Sequence, residues 1–330
     1  MGDPVAPDNR RPPTSPVSPA HSAARHWAPL SRFVAAEARL GARAEARGPL
    51  AAGLYEFLRF GVKQGWACLF GGLLCGLMIA TRLVYPADAP LARYDFLTLA
   101  AVAIQAAMLA LRLETREEAG IILVFHLVGT AMEVFKTAVG SWVYPEPSLL
   151  RLADVPLFTG FMYASVGSYL VRVWRLFDFR FTRHPPPAAL VVLSAAIYLN
   201  FFTHHYTLDV RPALFLAAAL LFGPATIHFK VWRVHRRMPL LLGLCLVTAF
   251  IWFAENIGTA SRAWLYPHQM AGWAGVSPQK FGSWFLLMII SYTLVVLIHR
   301  PRAVLAARGA DPRSGTPARS GGGTVGATGR

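Results

Sequence analysis

Eight apolar runs, at about residues 62–84, 95–112, 119–140, 156–177, 187–205, 212–230, 238–260 and 281–299, leave this chain few ways to fold. Several approach the roughly 20 residues needed to cross about 30 Å of hydrocarbon. Hydrophobic residues make up 55% of the chain and charged residues only 15%, so soluble domains are excluded. The expected class is an all-α polytopic membrane protein. Small residues inside the runs, such as Gly71, Gly72 and Gly76 or Gly160, Gly167 and Ser168, let helix backbones approach closely in lipid.

A second feature divides the runs into halves. The pattern Glu133-x3-Thr137-x4-Trp142-x-Tyr144-Pro145-x10-Pro156-x3-Gly160 recurs without a gap from Glu255 to Gly282, at a constant offset of 122 positions. Ala138 and Ala260, Thr81 and Thr203, and Pro90 and Pro212 match at the same offset. Trp and Tyr are uncommon, so a fixed register of this kind points to duplication. The offset overlays the first four runs on the last four, which gives repeat units at about 62–177 and 187–299. An even number of crossings per unit inserts both copies in one sense, as parallel repeats about an axis along the membrane normal.

Charge supplies the orientation. Counting Lys and Arg by alternate side gives 25 on one and 7 on the other. The positive-inside bias places both termini in the cytoplasm and both repeated loops on the outer side. The net charge of +15 is explained by topology and anionic lipid. The basic residues form no aromatic-interleaved patch, so nucleic acid is not expected as a partner. Residues 1–55 are a basic, Pro/Ala/Arg-rich tail, expected to be disordered with a weak helix near Ser31–Arg47; residues 56–302 form the membrane domain, and 303–330 a second disordered tail. No secretory signal peptide is expected, because the first apolar run begins near Val62.

Candidate chemistry gathers at the outer ends of the runs. Glu133 and Glu255 lie beyond their helix midpoints toward the outer surface, where an ionisable group usually faces a bundle interior or polar cavity. A local pair with Lys136 would explain Glu133 alone, but the position equivalent to Lys136 is Gly258. Two carboxyls on a pseudo-twofold axis would share a proton, hold a cation, or divide acid and base roles. His126, two turns before Glu133, and Asn256, next to Glu255, complete the candidate catalytic set. Asn200, His204, Asp209, Trp142, Tyr144, Trp264 and Tyr266 are the candidate substrate-binding residues. The plainer reading of the four aromatics, with Trp273, is an aromatic belt, each helix being stopped by its Tyr-Pro step.

With the glutamates, Asn200, His204 and Asp209 would offer oxygen and imidazole ligands suited to Zn²⁺, Fe²⁺ or Mn²⁺. No metal motif of recognised spacing is present, and an interfacial hydrogen-bonding cluster is the simpler account. Cys68, Cys75 and Cys245 all lie inside apolar runs and form no Cys-x-x-Cys. They read as packing residues. The sequence names no cofactor and no protein partner. The expected surroundings are the lipid bilayer, with a lipid-phase small molecule as a candidate ligand.

The runs Phe60-Gly61-Val62-Lys63-Gln64, Gly140-Ser141-Trp142-Val143-Tyr144-Pro145-Glu146, Asn200-Phe201-Phe202-Thr203-His204-His205 and Ala254-Glu255-Asn256-Ile257-Gly258-Thr259 resemble the YoaT-like bacterial integral membrane proteins. The likeness covers about residues 56–300. That family, domain of unknown function 817, implies a membrane fold in a bacterial inner membrane and brings no assigned activity. The acidic residue followed by Trp-x-Tyr is also faintly similar to small membrane carotenoid cyclases and hydratases, in which membrane acids protonate a polyene. Their Pro-Glu-Glu motif is absent here. Three functions follow: an intramembrane enzyme using carboxylate acid/base chemistry on an isoprenoid or other lipid-phase substrate, a proton- or cation-coupled carrier, and a non-catalytic membrane subunit.

Overall fold

The computed structural model describes residues 28–299 and 301–303. The remainder of both tails, for which disorder is the expectation, lies outside the described residues. The described chain is mostly helical. Helix α1 spans Ala28–Ala46, α2 Pro49–Ala67, α3 Leu69–Val84, α4 Arg93–Ala110, α5 Arg116–Ala138 and α6 Phe158–Phe177. After them come α7 (Pro187–Thr203), α8 (Arg211–Phe222), α9 (Leu240–Ala260) and α10 (Gln279–Ile298).

Among the described residues four helices, α4, α5, α9 and α10, are long and apolar enough to cross a membrane. Helices α2 and α3 would make a fifth span if the 69° bend between them is taken as a break within one crossing. Helices α7 and α8 are apolar but short, with 17 and 12 residues. At 1.5 Å per residue they reach about 25 and 18 Å. Helix α6 has 20 residues, but Arg172 and Arg175 interrupt its apolar face.

The first run is thus a bent pair that extends back to Pro49. The bend falls at Cys68, between Gly65 and Gly71, where small residues weaken helical preference. Two cations tie this region to its neighbours. Arg172 Nη1 donates to the Trp66 carbonyl at 3.1 Å, and Lys63 Nζ donates to the carbonyls of Leu176 and Lys230 at 2.9 and 3.2 Å.

The sixth run also differs from expectation. Its helix ends at Phe222 before Gly223-Pro224, and residues Thr226–Lys230 form a strand, β4. The Gly-Pro step stops the helix, and Thr226 and Ile227 suit the extended chain that follows. Strand β4 lies between β3 (Arg180–Thr182) and β5 (His235–Pro239), antiparallel to both, and β6 (Arg302–Ala303) pairs parallel with β3. This small sheet closes the Arg-rich end of the bundle. A two-residue hairpin, β1 (Arg151–Leu152) with β2 (Val155–Pro156), leads into α6.

At the sheet end of the bundle, Arg172 is fully buried against Glu114 at 3.2 Å, and Ser168 donates to the same carboxylate. Thr115 caps α5 in a reciprocal box with Glu118, and Arg175 pairs with Glu118 at 3.0 Å. At the opposite end, Arg93 binds Glu146 at 2.6 Å and the Ser261 carbonyl at 2.8 Å, tying α4 to the end of α9. Asp95 accepts the amides of Leu149 and Leu150. Apolar packing at that end draws on both copies of the motif: Tyr94, Trp142, Tyr144, Phe158, Trp264 and Tyr266 form one buried cluster.

Candidate functional site

The two glutamate helices stop in the same way, earlier than their Tyr-Pro steps. After α5, Gly140 takes φ 72°, its amide reaches the Thr137 carbonyl, and the Ser141 amide reaches the Lys136 carbonyl at 2.9 Å. After α9, Arg262 takes φ 54°, its amide reaches Thr259, and the Ala263 amide reaches Gly258 at 2.9 Å. This left-handed reversal consumes the last helical carbonyls. It also folds the Trp-x-Tyr segment back over its own helix. Trp142, Tyr144, Trp264 and Tyr266 are therefore buried, whereas Trp273 alone of the belt candidates stays exposed.

Each carboxyl is held by aromatic donors. Glu133 is only 3% exposed. Its Oε2 accepts from Trp142 Nε1 at 2.7 Å and from the Tyr144 hydroxyl, and its Oε1 accepts from Tyr163 Oη at 2.7 Å. Glu255 is equally buried and accepts from the Tyr266 hydroxyl and from Trp284 Nε1. The Glu–Tyr bond thus occurs in both copies. An indole N–H only donates, so Trp142 and Trp284 fix which atoms accept. Burial and the neighbouring glutamates push the Tyr144 and Tyr266 phenols well above their ordinary pKa, which keeps both hydroxyls protonated and able to donate.

Helix glycines explain where the copies diverge. A Cβ at Gly258 would collide with the Trp264 ring, so that ring occupies the space a side chain would need. Lys136 fills the equivalent position in the first copy, and there Trp142 turns its indole N–H to Glu133 instead. A Cβ at Gly129 would collide with Tyr163. The glycine lets that ring cross α5 one turn before Glu133.

The glutamates face a common space. Glu133 and Glu255 both line one cavity of about 1400 Å³, together with Trp142, Tyr163, Tyr266 and Trp284. From the carboxyls the cavity runs between α2–α3, α6, α9 and α10 along mostly apolar walls, as far as Phe177 and Phe229 near the sheet.

The other candidate residues divide. Asn200 and His204 line the same cavity, with His204 Nδ1 2.8 Å from the Asn200 carbonyl. Asn256 does not orient Glu255: its Oδ1 accepts the Val276 amide at 2.9 Å and its Nδ2 donates to the Trp252 carbonyl. His126 packs against Phe161 and Gly160, away from the carboxyls. Asp209 is held by Arg211, which lowers its pKa to about 2. Among the described residues no three His, Cys, Asp or Glu side chains converge as a metal would need, so the oxygen and imidazole set is not assembled. Lys136 does not pair with Glu133 but lies 2.8 Å from His205 Nε2.

Sequence reasoning missed Tyr163, Trp284 and Lys280. Tyr163 follows Glu133 by 30 positions and Trp284 follows Glu255 by 29. This slip of one residue hides the two donors from a search at fixed offset.

Residues 56–292 match the family described as protein of unknown function (DUF817). The uncharacterized protein YoaT of Bacillus subtilis (strain 168) is 41% identical over 240 residues, which covers 73% of this chain and 90% of the relative. No solved structure matches. Neither finding bears on the fainter likeness to carotenoid cyclases and hydratases. With most of its length matched by the family and by a bacterial relative, the chain belongs to the DUF817 family.

Proposed function

We propose that the protein is an eight-span inner-membrane enzyme that acts on an isoprenoid or other lipid-phase substrate through Glu133 and Glu255. The observation that carries this reading is the shared cavity: two buried carboxyls from equivalent helices line one apolar space. The topology rests on the correspondence of helical segments with the apolar runs and on the charge asymmetry of 25 to 7. The parallel arrangement of two four-helix units is supported by the Val143–Leu265 pairing. Each amide donates to the other's carbonyl at 2.9 Å, across an antiparallel bridge between equivalent positions.

Two carboxyls on one cavity supply a proton donor and an anion. One gives its proton to a substrate double bond, and the charge of the other stabilises the resulting cation. A proton then returns from a neighbouring carbon to the first carboxylate, so the net change is an isomerisation or cyclisation that needs no co-reactant. Glu255, with two bound donors against three at Glu133, keeps more accepting capacity free for this exchange. Lipid extracts of cells with the intact protein, without it, and with Glu133→Gln or Glu255→Gln should differ by mass spectrometry. Either single change should abolish conversion while the variant remains folded in membranes, and conversion that survives both changes would overturn this reading.

The carrier reading draws on a different observation. The bent α2–α3 pair lines the cavity through Gly61, Cys68 and Gly72, and broken helices are where transporters hold their cargo. The break is held by Arg172 and Lys63 at the sheet end, away from the carboxyls, so it ranks second. Proton or cation flux in proteoliposomes that depends on both glutamates would reverse the order.

A further inference from the structure

At its outer end the cavity is lined by Lys136, Lys280, Arg211, His204 and His205, side chains from four parts of the chain. Lys136 is 5% exposed, and its ammonium lies 4.2 Å from the Phe201 ring centre and 2.8 Å from His205 Nε2. Lys280 lies 4.3 Å over Tyr266 and 5.2 Å over Trp142. Among the described residues neither lysine forms an ion pair with a carboxylate. Arg211 is the exception in the group, being paired with Asp209.

A cation taken out of water requires a partner. Ring faces attract a cation but do not replace an anion. Glu133 and Glu255 face the same space but lie beyond ion-pair distance of both lysines, where Trp and Tyr donors hold them. Below these cations the space is apolar, and its volume of about 1400 Å³ exceeds the roughly 300–1,000 Å³ of ordinary small-molecule sites. The site therefore has an anion-seeking head and a long oily body.

We infer that the cavity binds an anionic amphiphile, with its phosphate or carboxylate head between Lys136 and Lys280 and its tail along α6, α9 and α10. This rests on the reading of the cavity as a lipid-phase site, but not on any chemistry at the glutamates. In this pose the first few carbons of the tail pass Glu133 and Glu255, next to the head.

The test uses the full-length protein in detergent, with binding followed by tryptophan fluorescence, since Trp142 and Trp284 line the cavity, and by native mass spectrometry. The probes are dioleoyl phosphatidic acid, oleate, dioleoyl phosphatidylcholine and inorganic phosphate. At least one of phosphatidic acid and oleate should bind saturably and more tightly than phosphatidylcholine, and the comparison of the two identifies the head. Lys136→Gln with Lys280→Gln should weaken that binding by about tenfold or more, whereas Lys136→Arg, which keeps the charge, should retain it. Equal binding of phosphatidylcholine, equal binding of inorganic phosphate, or undiminished binding by the double variant would overturn the inference. Conversion is read separately, from the lipid extracts of Glu133→Gln and Glu255→Gln cells, so a failure of the proposed chemistry leaves this binding result untouched.

Discussion

Val143 and Leu265 exchange two backbone hydrogen bonds of 2.9 Å, and 122 positions separate them, the same interval that separates Glu133 from Glu255. An antiparallel pair of this kind has a local twofold axis through its centre. Around it stand equivalent groups: the reversals at Gly140 and Arg262, the phenols of Tyr144 and Tyr266, and the carboxyls they bind. The bridge thus joins the two segments that follow the carboxyl-bearing helices.

Cysteines at these two positions should cross-link. A hydrogen-bonded antiparallel pair has Cα atoms about 5.5 Å apart, within the usual disulfide range of about 4.4–6.8 Å. In the proposed orientation, which sets these loops in an oxidising periplasm, Val143→Cys with Leu265→Cys should form the bond, seen as a mobility difference on non-reducing gels after cleavage of the intervening chain. Neither single variant should show it. Free thiols in the double variant would contradict the pairing or the orientation.

Alanine and glutamine at the glutamates should behave differently. Glu133→Ala leaves Trp142, Tyr144 and Tyr163 without their acceptor, and each buried orphan costs about 1–3 kcal/mol. Glu133→Gln can keep its oxygen on Trp142 and turn its amide toward Tyr163, whose hydroxyl also accepts. The same choice exists at Glu255, with the oxygen on Trp284 and the amide on Tyr266. Thermal unfolding in detergent should place both Gln variants close to the parent and both Ala variants well below it.

What the sequence made legible was whatever depends on one helix at a time. The apolar runs located the helices, and the constant offset located both glutamates and their tyrosines. The strand at Thr226–Lys230 stayed hidden because Thr, Ile, His and Phe continue an apolar run, and only Gly223-Pro224 marks the change. Trp142 and Tyr266 looked like belt residues because burial depends on the reversal at Gly140 and Arg262, which folds them inward. Arg262 gave no signal there, since a non-glycine residue rarely adopts positive φ. Lys136 pairs with His205, from a distant helix end, and spacing along one helix cannot reveal that contact.

Gly258→Ala should be among the more damaging small substitutions in the domain. The added methyl collides with the Trp264 ring and forces it out of the buried aromatic cluster. Overpacking of this kind costs about 1–3 kcal/mol. Gly72→Ala makes the comparison, because a methyl there would meet nothing within 4 Å and alanine is the better helix former. Unfolding temperatures should fall for the first variant and stay level or rise for the second.

Acid should loosen the Lys136–His205 contact. A lysine ammonium only donates, so His205 Nε2 must be the neutral, accepting nitrogen. Burial, with the charges of Lys136, His204, Lys280 and Arg211, lowers the His205 pKa in the folded state. The unfolded chain therefore binds the proton more readily. This contribution to stability is complete above the unfolded value of about 6.5 and is lost as pH falls toward the folded one. The effect is small, since His205 is exposed to solvent. Between pH 7.5 and 5 the parent should lose more thermal stability than His205→Asn, and equal losses would remove His205 from the balance.

The buried pair at the sheet end gives the most demanding test of the fold. Arg172 is fully buried, pairs with Glu114 at 3.2 Å and donates to the Trp66 carbonyl at the α2–α3 bend. Arg172→Met removes the cation and leaves a buried carboxylate, with Ser168 and Gln105 as its remaining donors. Glu114→Gln leaves a guanidinium with a carbonyl but no anion. Breaking one side of such a pair typically costs about 3–5 kcal/mol, whereas removing both charges costs far less. The variant with both changes should therefore unfold at a higher temperature than Arg172→Met alone. Its residual loss, against the parent, includes the Arg172 bond to the Trp66 carbonyl, which then keeps only the Cys68 amide as a donor. Strict additivity of the two single effects would mean that the charges do not depend on each other, and the bend would then have to be held by Lys63 and helix packing without this pair.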